Sequence, residues 1–273
     1  MSYRQLAVAS VLGIATGTVG ACTSFGADRE GGPANDGRSD TDSAPVVDPR
    51  DDQSDAAPTP SCEDAGFVFC DDFERDTVKG LWRTPVVKGA STLAISTQFF
   101  VSPSRSLEVS IPEGDASSQV AFLARKPGIA TRRFRVAFSL RYDAVGADIQ
   151  VVNIGFADST FLFLTLTKDV DQAVLKFTEQ RLKAPDGGGG FNTTTPPLTV
   201  IDKNVWTRFE LSIDLTTRAV TMKRFDGTSV EKIPNLTLEY GATDLLSVGA
   251  VYVASPRDAA RSLSFDDVFY SAE

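Results

Sequence analysis

No histidine occurs anywhere in the 273 residues of this chain. That absence removes a Ser-His-Asp triad, a Cys-His dyad and a histidine-ligated zinc, because each needs an imidazole as base or ligand. Lysine and arginine nowhere form a run, and the formal net charge is -9. Most of that imbalance precedes the folded part, since 23 basic groups face 27 acidic ones from residue 62 onward. A slightly acidic domain without a basic stripe excludes nucleic acid as a partner, because phosphate neutralisation supplies most of that affinity. The apolar run from Leu6 to about Val19 is shorter than the roughly 20 residues that cross a bilayer, and Gly13, Thr16, Gly17 and Thr18 dilute it. Beyond Phe67 no 3.6-residue apolar period lasts three turns, so helices are not expected to build the core.

What is present at the N-terminus has a definite order: Arg4, the short apolar run, then Val19-Gly20-Ala21-Cys22. Charge, short apolar stretch and small residues in that sequence read as a secretory signal. The closing tetrapeptide resembles the lipobox of bacterial lipoproteins. The resemblance implies a signal peptide over 1–21, lipidation of Cys22 and an oxidising compartment. Thr23 stands where an Asp is the usual inner-membrane retention signal, so lipid anchoring at the outer membrane, on its periplasmic or cell-surface side, is expected. The membrane is then met through the lipid alone. Residues 22–61 have almost no large apolar side chain beyond Phe25, Val46 and Val47, and nine acidic residues there face Arg29, Arg38 and Arg50. Such a segment cannot offset its ordering entropy by burial and is expected to be an extended, disordered acidic tether. With Cys22 assigned to the lipid, Cys62 and Cys70 remain. In an exported protein the simplest outcome is a disulfide at the start of the domain, whereas two thiolates without histidine make a poor zinc site.

From residue 62 to 273 short β-rich runs alternate with turn residues. Phe134, Val136, Phe138, Leu140 and Tyr142 fall on one side of a strand, as do Val152, Ile154 and Phe156. Further runs lie at Ser159 to Thr167, Gln172 to Glu179, Val205 to Asp214, Arg218 to Phe225, Leu245 to Val253 and Ser262 to Tyr270. Weaker ones lie at Thr92 to Gln98, Ser106 to Ile111 and Val120 to Arg125. About a dozen antiparallel strands suit an all-β, two-sheet sandwich or jelly roll.

Three segments resemble the concanavalin A-like lectins and glucanases, including laminin-G-like domains and family 16 glycoside hydrolases. They are Cys70-Asp71-Asp72-Phe73-Glu74 with Trp82, then the Trp206 to Asp214 and Arg218 to Phe225 strands closing on Asp226-Gly227, and finally Phe265-Asp266-Asp267-Val268-Phe269-Tyr270. The resemblance implies that the first and last strands pair and that Trp82 and Trp206 are structural. It also implies a structural Ca²⁺ at Asp72 and Asp266, the one cofactor expected; the alternative is that these aspartates cap turns or pair with arginine.

Catalytic residues are not found. Retaining glucanases need two carboxyls about 5 Å apart. Glu113-Gly-Asp115 sits in a turn without a third acid, and Glu210 and Asp214 are roughly 13 Å apart along one strand. Asp169-Val-Asp171 reads as a hairpin turn. A lyase built on Tyr142, Tyr240, Tyr252 or Tyr270 matches no motif. The polar alternates Arg133, Arg135, Ser139, Arg141, Asn153, Thr165, Thr167, Lys176, Gln180, Arg208, Glu210 and Ser212 would form one sheet surface if their strands lay side by side. The ligand-binding candidates are Arg135, Arg141, Asn153, Lys176, Arg208 and Glu210, with Phe191 and Asn192 from the glycine-rich loop Leu182 to Pro197. The expected function is a monomeric cell-envelope lipoprotein whose domain recognises a polysaccharide or cell-surface glycan without catalysis. A diverged polysaccharide hydrolase or lyase is the runner-up, and a structural envelope protein the third reading.

Overall fold

The computed structural model describes Cys62 and residues 67–273, apart from 79, 84, 115–118, 128–130, 145–146, 170–171, 183–189, 196–197, 226–228 and 255–259. The expected signal peptide, Cys22, the expected tether and Asp226-Gly227 lie outside these residues. Sixteen strands and no helix occur among the described residues. In chain order the first eight are β1 (Phe69–Asp71), β2 (Val86–Lys88), β3 (Thr92–Ser96), β4 (Ser106–Ile111), β5 (Val120–Arg125), β6 (Arg133–Tyr142), β7 (Ile149–Phe156) and β8 (Thr160–Asp169). The others are β9 (Gln172–Arg181), β10 (Phe191–Thr194), β11 (Thr199–Ile201), β12 (Thr207–Asp214), β13 (Ala219–Arg224), β14 (Ser229–Lys232), β15 (Thr243–Val253) and β16 (Arg261–Ala272).

These form two antiparallel sheets. The first runs β14-β13-β12-β6-β16-β4-β3, with β1 also on β16; the second runs β10-β9-β8-β7-β15-β5-β2, with β11 also on β9. The first and last strands pair as expected, Phe69 facing Tyr270, Cys70 facing Phe269 and Asp71 facing Val268. Cys62 and Cys70 are joined in a disulfide.

Alternation explains the two layers. On β6 the side chains of Phe134, Val136, Phe138 and Leu140 are fully buried, and on β12 Phe209, Leu211 and Ile213 repeat the pattern. From the second sheet Leu162, Leu164 and Leu166 on β8 and Leu175 and Phe177 on β9 close the same core. Rings of Phe138 and Phe209 meet at 5.6 Å, and those of Phe134 and Tyr270 stack at 5.4 Å. Each such side chain contributes about 1.5–3 kcal/mol by leaving water. Both sheets therefore turn their alternate, more polar residues outward, and these two outer faces are where a ligand site can be built.

Asp214 ends β12 for a local reason: its Oδ1 accepts the Thr216 and Thr217 N–H groups at 2.7 and 3.1 Å, which sets the turn into β13. Asp169 faces Gln172 across the β8–β9 hairpin, the tight connection expected there.

Candidate functional site

The polar alternates do not form one surface. β6 and β12 lie side by side in the first sheet, where Arg208 faces Ser139, Glu210 faces Ala137 and Ser212 faces Arg135. Asn153 and Lys176 belong to the second sheet, on the other side of the molecule. Alternation tells which side of a strand is polar, and carries nothing about which sheet the strand joins.

On the first sheet's outer face the expected cationic contacts are paired within the protein, although Ser139 Oγ, Arg208 Nη1 and Asp267 Oδ2 have no hydrogen-bond partner among the described residues. Arg135 pairs with Glu273. Arg133 binds Asp214 at 2.9 Å, and Glu210 lies 4.0 Å from Lys223. The Arg141 guanidinium lies 3.6 Å from the centre of the Phe99 ring, and donates to Asn204 O and Oδ1 at 3.2 and 3.0 Å. Arg208 sits between the Phe225 and Phe269 rings, 3.8 Å from Asp267. These cations hold strands and loops together rather than facing solvent alone.

Asp72 and Asp266 do come together, with Ser102 between them. Ser102 Oγ donates to Asp266 Oδ1 at 2.9 Å and lies 3.4 Å from the Asp72 carbonyl oxygen. A bulge between Asp266 and Phe269 turns both Asp266 and Asp267 to the outer side. Asp266 Oδ2 accepts the Val101 and Ser102 N–H groups at 2.7 and 3.0 Å, and Oδ1 accepts the Asp267 N–H at 2.8 Å. Burial and then the Asp267 carboxylate push Asp266 up to about 7, against those donors. The same burial raises Asp267, with Arg208 pulling the other way. A carboxylate surrounded by N–H and O–H donors is arranged as an acceptor of hydrogen bonds. Among the described residues no group of three or more acidic, cysteine or histidine side chains could hold a metal. The Asp266 oxygens are taken by N–H and O–H donors, and the seam is closed by hydrogen bonds through the loop at 97–105.

The second sheet's outer face is different. Cross-strand register gives three rows. One is Tyr252, Gln150, Thr165 and Lys176 on β15, β7, β8 and β9. The next is Ser247, Asn153, Phe163, Thr178 and Thr194, and the third Leu245, Gly155, Phe161, Gln180 and Asn192. Phe161 and Phe163 stack with ring centres 5.8 Å apart and planes 13° from parallel. Asn153 is 7% exposed and Ser247 0%, yet Asn153 Oδ1 and Ser247 Oγ have no hydrogen-bond partner among the described residues. Thr167 Oγ1, two residues beyond Thr165, is in the same condition. Unpartnered buried atoms also occur on the first sheet, where Ser139 Oγ faces Arg208 Nη1, so the pair on the second sheet points to a ligand or water only together with the aromatic and polar side chains around it.

Phe191 and Asn192 are not in a loop. Phe191–Thr194 form β10, pairing with the end of β9 so that Asn192 faces Gln180 and Phe191 faces Arg181. Residues 183–189 of the glycine-rich stretch lie outside the described residues. Of the tyrosines considered for a lyase, Tyr142 donates to Ile201 O and Tyr240 to Glu179, both buried, while Tyr270 lies in the core. Burial, then the Glu179 hydrogen bond, raises Tyr240 further above its ordinary value. Tyr252 is 46% exposed on the second sheet's outer face. Sequence reasoning passed over Ser247, Gln150 and Phe161 and weighed Tyr252 only for a lyase; all four are outward positions on strands it had assigned or adjoined, and pairing register is the signal that was missing.

No protein-family model matches the chain, and no curated protein matches its sequence. Solved structures do resemble it. An endo-β-1,4-glucuronan lyase from the fungus Trichoderma reesei superposes with a TM-score of 0.58 at 12% identity, over 76% of this chain and 96% of that one. A cellulose induced protein, Cip1, superposes with a TM-score of 0.53 at 14% identity, over 75% of this chain and 97% of that one. At such identities the likeness is one of fold, and the fold it shows is the two-sheet antiparallel β-sandwich.

Proposed function

We propose that this domain recognises a polysaccharide on the outer face of the second sheet, without cleaving it, as part of a cell-envelope lipoprotein anchored through Cys22. The observation that carries the reading is the facing pair Asn153 and Ser247, buried and unpartnered in the middle of a sheet face that also offers Phe161, Gln150, Thr165, Lys176 and Gln180. Sugars suit such a surface: their hydroxyls satisfy fixed acceptors and donors, and their apolar ring faces lie against aromatic side chains. Of the similar structures, one is a glucuronan lyase and another a protein induced by cellulose, which supports the reading.

The test is a panel of neutral and acidic polysaccharides, with binding and product release measured in parallel on the mature protein. Saturable binding that N153L abolishes, with no reducing ends or unsaturated products, is the expected result. Product release would replace the reading with a hydrolase or a lyase. Absence of both binding and products would favour a structural envelope protein.

A further inference from the structure

The recognition face holds a positive charge with no partner among the described residues, and we infer from it that the polysaccharide is anionic, with Lys176 receiving its carboxylate or sulfate groups. This deepens the reading above and rests on it. Lys176 is half-buried on β9, facing Thr165. No hydrogen bond or ion pair to Lys176 forms among the described residues, whereas Arg133, Arg135, Arg208 and Lys223 on the opposite sheet each have a carboxylate partner.

Among the described residues no acidic side chain adjoins Lys176. Outward positions around Lys176 are Thr165, Gln150, Tyr252, Phe163, Thr178 and Val174. Asp169 faces Gln172, four residues and about 13 Å along β9. Glu179 points to the inner side, where its oxygens accept from Thr237, Leu238 and Tyr240. An ammonium in this setting gains a charge-assisted hydrogen bond from an incoming anion, and partial burial strengthens it relative to open water.

Asn153 Oδ1 and Ser247 Oγ ask instead for uncharged hydroxyl groups. They lie one row along and at least two strands across from Lys176, on the order of 12 Å by strand spacing. A ligand that presents hydroxyls at one end and an anionic group at the other, on separate sugar units, is a chain of uronic acids or of sulfated sugars.

Two matched pairs of polymers test this: polygalacturonate against its carboxyl-reduced form, and dextran sulfate against dextran. Binding is measured by affinity electrophoresis or calorimetry over a range of ionic strength. At least one charged member is expected to bind ten-fold or more tightly than its neutral partner, with a preference that falls as salt rises. Which pair shows the preference tells carboxylate from sulfate. K176Q removes the preference, K176R restores most of it, and R135Q on the opposite sheet leaves it unchanged. Equal binding of charged and neutral members, or a preference that survives K176Q in a protein of unaltered melting temperature, overturns the inference and leaves the polysaccharide reading standing. No binding of any polymer overturns both.

Discussion

The Asp71 carboxylate accepts the Trp82 indole N–H at 2.5 Å inside the core, while the same oxygen binds Arg75 at 2.6 Å and the other oxygen takes the Phe73 N–H at 2.9 Å. Trp82 in turn meets Phe69 edge to face at 4.8 Å, and Phe69 lies under Arg125. One acid on β1 thus holds the chain where it enters the sandwich. Removing it in D71A strands three donors, two of them buried, and is expected to cost about 3 kcal/mol or more. D71N keeps one acceptor and should cost less. Urea unfolding of both variants checks the order; equal and small losses would show that the contact is peripheral.

Three buried aspartates give stability an unusual pH dependence. Burial raises Asp71, Asp266 and Asp267 above the ordinary carboxylate value, Asp266 to about 7. Between about 4 and about 7 the folded protein therefore keeps a proton on Asp266 that the unfolded chain has released. Raising pH through that window favours the unfolded state, so stability falls as pH rises, by a few kcal/mol at most. Below the window the direction reverses, because Asp214 is held low by the Thr216 and Thr217 N–H groups and Arg133, and loses those contacts on protonation. Melting temperature measured across the window should decline in the wild type and decline less in D266N. A flat wild-type profile would sink the prediction.

Much of this architecture can be read from alternation. The inward set Phe134, Val136, Phe138, Leu140 and Tyr142 and the Trp206-led β12 stand where their period places them, and all eleven runs assigned from sequence became strands. β2, β11 and β14 span only three or four residues, too few for a period to register, and β10 was hidden beside a glycine run. The site was half legible for a related reason. Asn153 and Lys176 were visible as polar alternates, but their neighbours on the face come from β15, far along the chain. Arg135, Arg141, Arg208 and Glu210 looked equivalent to them because a strand's sheet is decided by long-range pairing. The same holds for Asp266, whose donors at Val101 and Ser102 lie 165 and 164 residues away.

The Cys62–Cys70 bridge closes a loop of 8 residues' separation that ends within β1. Loop-closure entropy for so short a ring gives about 2–3 kcal/mol. Because Cys70 faces Phe269 on β16, the bridge also ties the incoming chain to the terminal strand. C62S, or wild type under reductant, is expected to unfold at lower urea with the same cooperativity. An unchanged midpoint would mean that the β1–β16 pairing holds the chain without the bridge.

Ser247 offers the sharpest separation between fold and function. Its hydroxyl is fully buried, faces Asn153 across β15 and β7, and has no partner among the described residues, so it costs the folded state the desolvation of a polar group. Truncation to alanine removes that cost and leaves a void no larger than an oxygen atom. S247A is therefore expected to melt at the wild-type temperature or above it, with a gain of up to about 1 kcal/mol. If the hydroxyl is kept for a sugar, the same variant binds polysaccharide several-fold more weakly. Stability gained together with binding lost is the signature of a group retained for its ligand. A variant that melts lower would instead give Ser247 a structural partner, and the pair with Asn153 would lose its claim to mark the site.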